Sequence, residues 1–139
     1  AAAREMLIVK VKSGRLADAM REELNPVWLA PGPDRAAILE IALDMADTLG
    51  PEVYVRQARA LQRARDQQAV LRKCKVPTLV MCGEVGRLNP VKRHSFMAEL
   101  LPYAILRVIE GAGHLPTLEQ PEATTAAIKE WLKMPLTPA

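Results

Sequence analysis

The sequence is poor in side chains that act as nucleophiles or general bases. Its 139 residues include only two serines, two cysteines and two histidines. Neither cysteine belongs to a C-x-x-C pair or a Cys/His cluster, so we expect no disulfide framework, no bound metal and no cofactor. A nucleophilic mechanism would have to use threonines, lysines, carboxylates or one of six side chains: Ser13, Ser95, Cys74, Cys82, His94 and His114.

Long apolar runs and an excess of one charge are also missing. No apolar run approaches the roughly 20 residues of a membrane-spanning helix, and no basic-then-apolar leader opens the sequence. The 19 basic and 16 acidic residues give a net charge of +3, with 12 basic and 10 acidic residues in 1–73 and 7 and 6 in 74–139. We therefore expect a cytoplasmic protein that binds neither membranes nor nucleic acid.

The first half of the sequence predicts one helix after another. Apolar residues recur at helical spacing, and prolines and glycines interrupt them. One predicted helix carries Arg56, Arg59 and Arg63 along one face. This stripe indicates a solvated surface, with anion or partner binding as the alternative. The predicted helices cover residues 4–12, 16–24, 34–49 and 52–64.

The second half changes to short apolar runs that are typical of strands. Residues 78–82 and 105–109 are almost continuously apolar, and a glycine follows each run closely. Runs with little alternation are typical of parallel strands that are covered on both faces. A helix is predicted between the runs, with Asn89 as its N-cap and Pro90 in its first turn, and another beyond the second run, from Pro121. This order predicts a right-handed βαβ unit with one further helix.

Two parallel strands do not make a stable sheet by themselves. They carry two open edges, and strands this apolar need cover on both faces. We therefore expect a missing part of the same protein, a second copy of the chain or another partner to complete the sheet. The sequence begins at Ala1 without an initiator methionine, which agrees with a processed chain or a piece of a longer one.

Two segments of the second half carry a family resemblance. PTLVMCGEVGRLNP (residues 77–90) and VIEGAGHLPTLEQPE (residues 108–122) resemble the last two strands and following loops of the α/β-hydrolase fold. In that family, a triad acid follows the first of these strands in G-x-x-D-x-x-x-P, and a histidine follows the second. The resemblance implies a partial α/β-hydrolase fold of the α/β class. Residues 1–73 would be a mostly helical cap or lid segment, and residues 74–139 the C-terminal part of the core, a β-α-β-α unit with two parallel strands.

The resemblance assigns one catalytic residue and leaves the acid in question. His114 matches the histidine that acts as general base, on a loop whose flanking Gly111 and Gly113 allow a sharp turn. The acid position falls on Gly86, which has no side chain. Glu84, two residues earlier, is a weak substitute because its reach is wrong by several ångströms. The alternative interpretation is that His114 remains in the loop with no chemistry to perform.

The nucleophile of the family is absent from the sequence. Its G-x-S-x-G elbow needs a serine between glycines, and neither Ser13 nor Ser95 has that context. The cysteines do not fit the elbow either, and no H-G-x-G-like oxyanion loop is present. Glu119 and Glu122 are interpreted as helix first-turn charges rather than catalytic acids.

The sequence supports two functional hypotheses and leaves open whether the chain itself is an enzyme. The first is a serine-type ester or lactone hydrolase of which this chain is a fragment or truncated member, inactive by itself. Its complete fold would act on a small ester-like molecule, and Trp28 and Tyr54 are candidates for lining the substrate pocket. The second is a non-catalytic remnant that acts as a homo-oligomeric or partner-binding module through its open strand edges. The missing acid at Gly86 favours the second hypothesis.

Overall fold

The computed structural model describes residues 2–138, which form a helical first part followed by a β-α-β unit and two further helices. A short 3-10 turn, Pro26–Trp28, follows the second helix. The elements in chain order are α1 (Ala2–Lys12), α2 (Leu16–Glu23), α3 (Arg35–Leu49), α4 (Pro51–Gln62), α5 (Gln68–Lys73), β1 (Thr78–Gly83), α6 (Val91–Leu100), β2 (Ala104–Ile109), α7 (Pro116–Glu119) and α8 (Pro121–Leu132).

The chain divides into two compact units. One unit comprises Ala1–Pro26 with Ala36–Arg65, and the other comprises Val27–Arg35 with Asp66–Ala139. Two pieces of the predicted cap segment, residues 27–35 and 66–73, therefore group with the strands. Residues 28–30 lie against the loop that carries His114, as described below.

The first unit contains four helices packed around small and branched side chains. Ile8 and Val11 of α1 and Ala19 of α2 are fully or almost fully buried, and Ala58 of α4 is buried as well. Gly50 separates α3 from α4, and its φ of +87° is one that other residues rarely adopt. Pro51 then opens α4 at a position where no backbone N–H is needed.

The arginine stripe of α4 is not a uniform solvated surface. The guanidinium of Arg59 donates to both carboxylate oxygens of Glu5 in α1, at 2.5 and 3.0 Å. Gln62 donates to the same carboxylate at 2.9 Å. These hydrogen bonds, that of Arg59 first, hold the pKa of Glu5 below its ordinary value. One arginine of the stripe thus holds two helices of the first unit together.

The second unit contains the predicted pair of parallel strands. β1 and β2 pair in register from Thr78 opposite Ala104 to Gly83 opposite Ile109, which confirms the strand prediction and the β-α-β-α order. Within residues 2–138 the sheet has only these two strands. Each strand therefore has one edge without a strand neighbour in the described part of the chain.

Strand alternation explains the apolar runs. Leu79 and Met81 of β1 pack against a buried cluster that includes Ala127 of α8. Because neighbouring side chains of a strand point to opposite faces, Val80 and Cys82 point to the other face, and both are buried. Helix α6 also contacts both strands. The absence of polar alternation in β1 therefore reflects cover on both faces of that strand, whereas Val108 of β2 is exposed.

Two short helices were not predicted. α5 and α7 have six and four residues, too few for a recognisable apolar period. The start of α6 also differs, because Pro90 takes the N-cap position that the sequence assigned to Asn89, and the helix begins at Val91. Such one-residue shifts are usual at helix ends.

Candidate active site

The candidate site lies where the two parallel strands end. β1 ends at Gly83 and β2 at Ile109, directly opposite each other. The segments that follow the two strands stay in contact. Glu84 N–H donates to Ile109 O at 2.9 Å, and Val85 N–H donates to Ala112 O at 3.0 Å. The loop after β2, which carries His114, is therefore fixed to the carboxyl end of β1.

Two glycines let three stretches of backbone approach one another at this point. A Cβ on Gly83 would lie 2.1 Å from Gly113 O, and a Cβ on Gly113 would lie 2.4 Å from Trp28 O and 2.9 Å from Ala30 N. The histidine loop is thus packed between the end of β1 and residues 28–30. Gly113 is required by this close approach, whereas Gly111 makes the sharp turn, with a φ of +72°.

The histidine loop presents His114 next to an aromatic ring. The backbone N–H of His114 donates to Trp28 O at 2.8 Å. Its imidazole centroid lies 6.4 Å from the Trp28 ring, with an angle of 63° between the planes, an edge-to-face arrangement. His114 is half-buried. His114 is therefore partly exposed, with its ring edge-to-face with that of Trp28.

Of the two aromatic pocket candidates, Trp28 belongs to the same unit as the histidine loop. Its indole Nε1 is buried and has no hydrogen-bond partner within residues 2–138. Tyr54 belongs to the other unit, where its hydroxyl donates to Glu23 at 2.7 Å. Burial, and then this hydrogen bond, raise the pKa of Tyr54.

The acid position lies beside the histidine loop but carries no side chain. A Cβ on Gly86 would lie 3.4 Å from Asn89 O and from Gly83 O, and 3.7 Å from Gly113 O, all ordinary contact distances. Position 86 therefore has room for a side chain and adjoins the residue that precedes His114.

The weak substitute, Glu84, is engaged elsewhere. Its carboxylate Oε2 accepts a hydrogen bond from the backbone N–H of Gly111 at 3.1 Å. Within residues 2–138, no hydrogen bond joins Glu84 to the imidazole of His114. In this arrangement Glu84 supports the sharp turn at Gly111, and no carboxylate of the described chain holds the histidine tautomer.

Glu119 has a position in the site that the sequence did not reveal. Its carboxylate accepts three backbone N–H groups, from Ala30 at 2.6 Å, Gly113 at 2.9 Å and Leu115 at 2.9 Å. The sequence pattern indicates a first-turn charge of the helix that begins at Pro121, but Glu119 is the last residue of the separate short helix α7. No spacing in the sequence signals a contact with Ala30, because the two residues are 89 positions apart.

None of the candidate nucleophiles is paired with His114. The hydroxyl of Ser13 donates to Lys10 O at 2.7 Å, at the end of α1. Burial raises the pKa of the Cys82 thiol and so disfavours the thiolate. The second histidine, His94, has its Nδ1 3.2 Å from Pro90 O within α6. In the described part of the chain, no serine or cysteine is hydrogen-bonded to the His114 imidazole.

Metal-binding and membrane-spanning features are absent from residues 2–138. No group of three or more His, Cys, Asp or Glu side chains there is arranged to hold a metal ion. No helix in this range combines the length and the apolar character needed to cross a bilayer.

Comparisons with known proteins identify the fold. No family model matches the sequence, and no curated protein matches it significantly. Solved structures do match. A thermophilic esterase from Thermogutta terrifontis has a TM-score of 0.85 and 29% identity, over 95% of this chain and 50% of its own. An esterase from Exiguobacterium antarcticum has a TM-score of 0.76 and 22% identity, over 94% and 47%.

The same architecture occurs in the enol-lactonase from Burkholderia xenovorans LB400, with a TM-score of 0.75 and 21% identity over 92% of this chain and 49% of that enzyme. The chain thus spans about half the length of the solved structures that it matches. Together with the paired parallel strands and the histidine loop at their carboxyl ends, these matches show that the chain has a partial α/β-hydrolase fold.

Proposed function

We propose that this chain supplies the histidine-bearing part of a serine-type ester or lactone hydrolase, with His114 as general base. The observation that carries the proposal is the position of His114. Its half-buried imidazole lies on a loop fixed to the carboxyl ends of two parallel strands, next to the Trp28 ring. Side chains at this edge of a parallel sheet meet those of neighbouring strands, which is where open α/β sheets bind their ligands.

The proposed reaction needs a serine and oxyanion donors from outside this sequence. The serine oxygen attacks the ester carbonyl carbon while His114 accepts the serine proton, and a tetrahedral oxyanion forms. The oxyanion collapses to an acyl-enzyme, and His114 passes the proton to the departing alkoxide. His114 then takes a proton from water, which attacks the acyl carbon and forms a second tetrahedral oxyanion. Collapse of this oxyanion releases the acid, and His114 returns the proton to the serine oxygen. Within residues 2–138 no nucleophile is paired with His114, and the chain by itself is proposed to be inactive.

The remaining parts of the proposal concern the cap and the acid. The helices within residues 1–73 are proposed to act as a cap segment in the complete hydrolase. Because position 86 is glycine, the carboxylate that orients His114 is proposed to come from the polypeptide that also supplies the serine. A cytoplasmic location is part of the same proposal.

The experiment uses the protein isolated intact from its source, together with any polypeptide that completes the sheet. It should hydrolyse a p-nitrophenyl ester and react with a fluorophosphonate at a serine outside residues 1–139. His114→Ala should lower the rate at least about 1,000-fold, because loss of the base disables the whole catalytic unit. His94→Ala is the matched control and should leave the rate unchanged. Full activity in His114→Ala, or an adduct on Ser13 or Ser95, would contradict the proposal.

A second candidate function is a non-catalytic binding module. It is favoured by the glycine at position 86 and by the open edge of β1, whose backbone groups can pair with a strand from another copy or another chain. Size-exclusion chromatography with light scattering on the purified chain separates the two candidates. Ester-inactive dimers that persist in the isolated native protein support the module, whereas a well-folded monomer is incompatible with it.

A further inference from the structure

The carboxylate of Glu119 divides its two oxygens between two parts of the candidate site. Oε2 accepts the N–H groups of Gly113 and Leu115, the residues on either side of His114. Oε1 accepts the N–H group of Ala30, the last residue of the Trp28 segment (residues 28–30). One side chain thus bonds the histidine loop with one oxygen and residues 28–30 with the other.

We propose that Glu119 is a positioning residue that couples the Trp28 segment to the histidine loop and thereby fixes the Trp28 ring beside His114. The inference rests on the proposed function, in which His114 is the base and Trp28 borders the substrate site. The hydrogen bonds of Glu119 go to backbone N–H groups and not to either ring. Glu119 acts through the backbones on which the two rings are carried.

The chemistry of the contact explains why a carboxylate is needed. Three N–H donors converge on Glu119, and only an anionic side chain offers acceptors on both terminal atoms. Hydrogen bonds from backbone N–H groups to a carboxylate are stronger than those to a neutral acceptor. A second link, from His114 N–H to Trp28 O at 2.8 Å, joins the same two backbones. The two links lie on either side of the close approach at Gly113.

Glu119→Gln should break the hydrogen bond to Ala30 and keep the hydrogen bonds to the histidine loop. A glutamine can keep its carbonyl oxygen on Gly113 and Leu115, but its NH₂ group then faces the N–H of Ala30, and two donors cannot bond. We expect amide hydrogen exchange at Ala30 to accelerate at least about tenfold, with Gly113 and Leu115 within about twofold of the parent. Glu122→Gln, with the same loss of charge three residues later, is the control and should leave all three amides unchanged.

The position of the Trp28 ring is read from the NMR signal of the His114 Cε1 proton, which senses the ring current of the indole. Trp28→Leu gives the signal position without the indole. In Glu119→Gln the His114 signal should move towards that position, and the His94 signal should not move. Displacement of the His114 signal is the readout that a purely structural role elsewhere in the molecule would not produce.

A second variant distinguishes loss of the Ala30 contact from a general loss of structure caused by the change at Glu119. An ester in place of the Leu29–Ala30 amide, made by replacing Ala30 with lactic acid through semisynthesis, deletes the Ala30 N–H without adding an atom that would clash with Glu119 or Gly113. It should displace the His114 signal as Glu119→Gln does, and the double variant should add nothing further, because both changes break one link. An unchanged Ala30 amide in Glu119→Gln, or an unmoved His114 signal in both variants, overturns the inference. If Glu119→Gln unfolds, the ester variant alone decides.

These measurements are independent of ester hydrolysis. Loss of coupling together with full activity in His114→Ala would refute the proposed function and leave the positioning inference standing. The reverse combination, unchanged coupling with an inactive His114→Ala, would refute the inference and leave the proposed function standing.

Discussion

The backbone N–H of His114 donates to the carbonyl of Trp28 at 2.8 Å, although 86 positions separate the two residues in the sequence. This bond joins the loop after β2 to a segment that precedes α3. Both belong to the same compact unit. The surroundings of the candidate base are therefore assembled from parts of the chain that are far apart in sequence.

The first prediction concerns the glycine beneath this bond. Gly113→Ala would place a Cβ 2.4 Å from Trp28 O and 2.9 Å from Ala30 N, both rigid backbone atoms. The two backbones would have to separate, so we expect a loss of about 2 kcal/mol or more in the free energy of unfolding, as for overpacked sites. Urea denaturation followed by circular dichroism measures it.

Gly32→Ala is the matched control for Gly113→Ala. Gly32 lies in the same compact unit, in residues 27–35, and a Cβ there meets no atom within 4 Å. Its effect on the free energy of unfolding should stay within about 0.5 kcal/mol. Equal effects of the two substitutions would mean that the close approach at Gly113 does not exist in solution.

The second prediction concerns the missing acid. Gly86→Asp adds a Cβ at ordinary contact distances of 3.4 Å or more, so the fold should tolerate it. The new carboxylate would start next to the histidine loop and could accept a hydrogen bond from His114 Nδ1–H. In the isolated chain, where no carboxylate within residues 2–138 holds that N–H, we expect the Nδ1 signal of His114 to shift. The complete hydrolase, whose acid is proposed to come from the other polypeptide, should change in rate by less than about threefold.

The measurement for Gly86→Asp combines ester hydrolysis with the ¹⁵N signal of His114 Nδ1, which reports the tautomer. Gly32→Asp introduces the same charge away from the loop and should change neither. A folded Gly86→Asp protein whose Nδ1 signal is the same as that of the parent would show that position 86 does not reach the imidazole.

The third prediction concerns acid stability in the first unit. The hydrogen bonds from Arg59 and Gln62 lower the pKa of Glu5 below its ordinary value of 4.5. A carboxyl whose folded-state pKa is lowered stabilises the fold above its unfolded-state pKa, and this contribution is lost as the pH falls through the folded-state pKa. Glu5→Gln should therefore lower the melting temperature at neutral pH and flatten its decline below about pH 4.5.

Thermal melts between neutral and acidic pH measure this dependence. Glu99→Gln removes an exposed carboxylate of α6 and should leave the shape of the profile unchanged. Parallel profiles for the parent and Glu5→Gln would mean that the contact between α1 and α4 does not contribute to acid sensitivity.

Local patterns predicted the two strands well. The run at Thr78–Gly83 is apolar because both faces of β1 are covered, and this signal lies within the segment itself. The strand ends then placed His114 at the carboxyl edge. No local pattern could indicate that Glu119 binds Ala30 or that Trp28 lies beside His114, because these contacts depend on how distant segments pack. The short helices α5 and α7 were missed because they complete too few turns to show a period.

The stacking of backbone on backbone at Gly83 and Gly113 also has a mechanical consequence. Where side chains separate two layers, rotamer changes can absorb a displacement, but bare backbones in contact have no such slack. A substrate that presses against Trp28 would therefore transmit its displacement to His114 and onward to the end of β1. The backbone of the candidate site should therefore be rigid at Gly83 and Gly113. A ligand too large for the space beside Trp28 should displace the strand ends, because no side-chain rotamer can change to accommodate it.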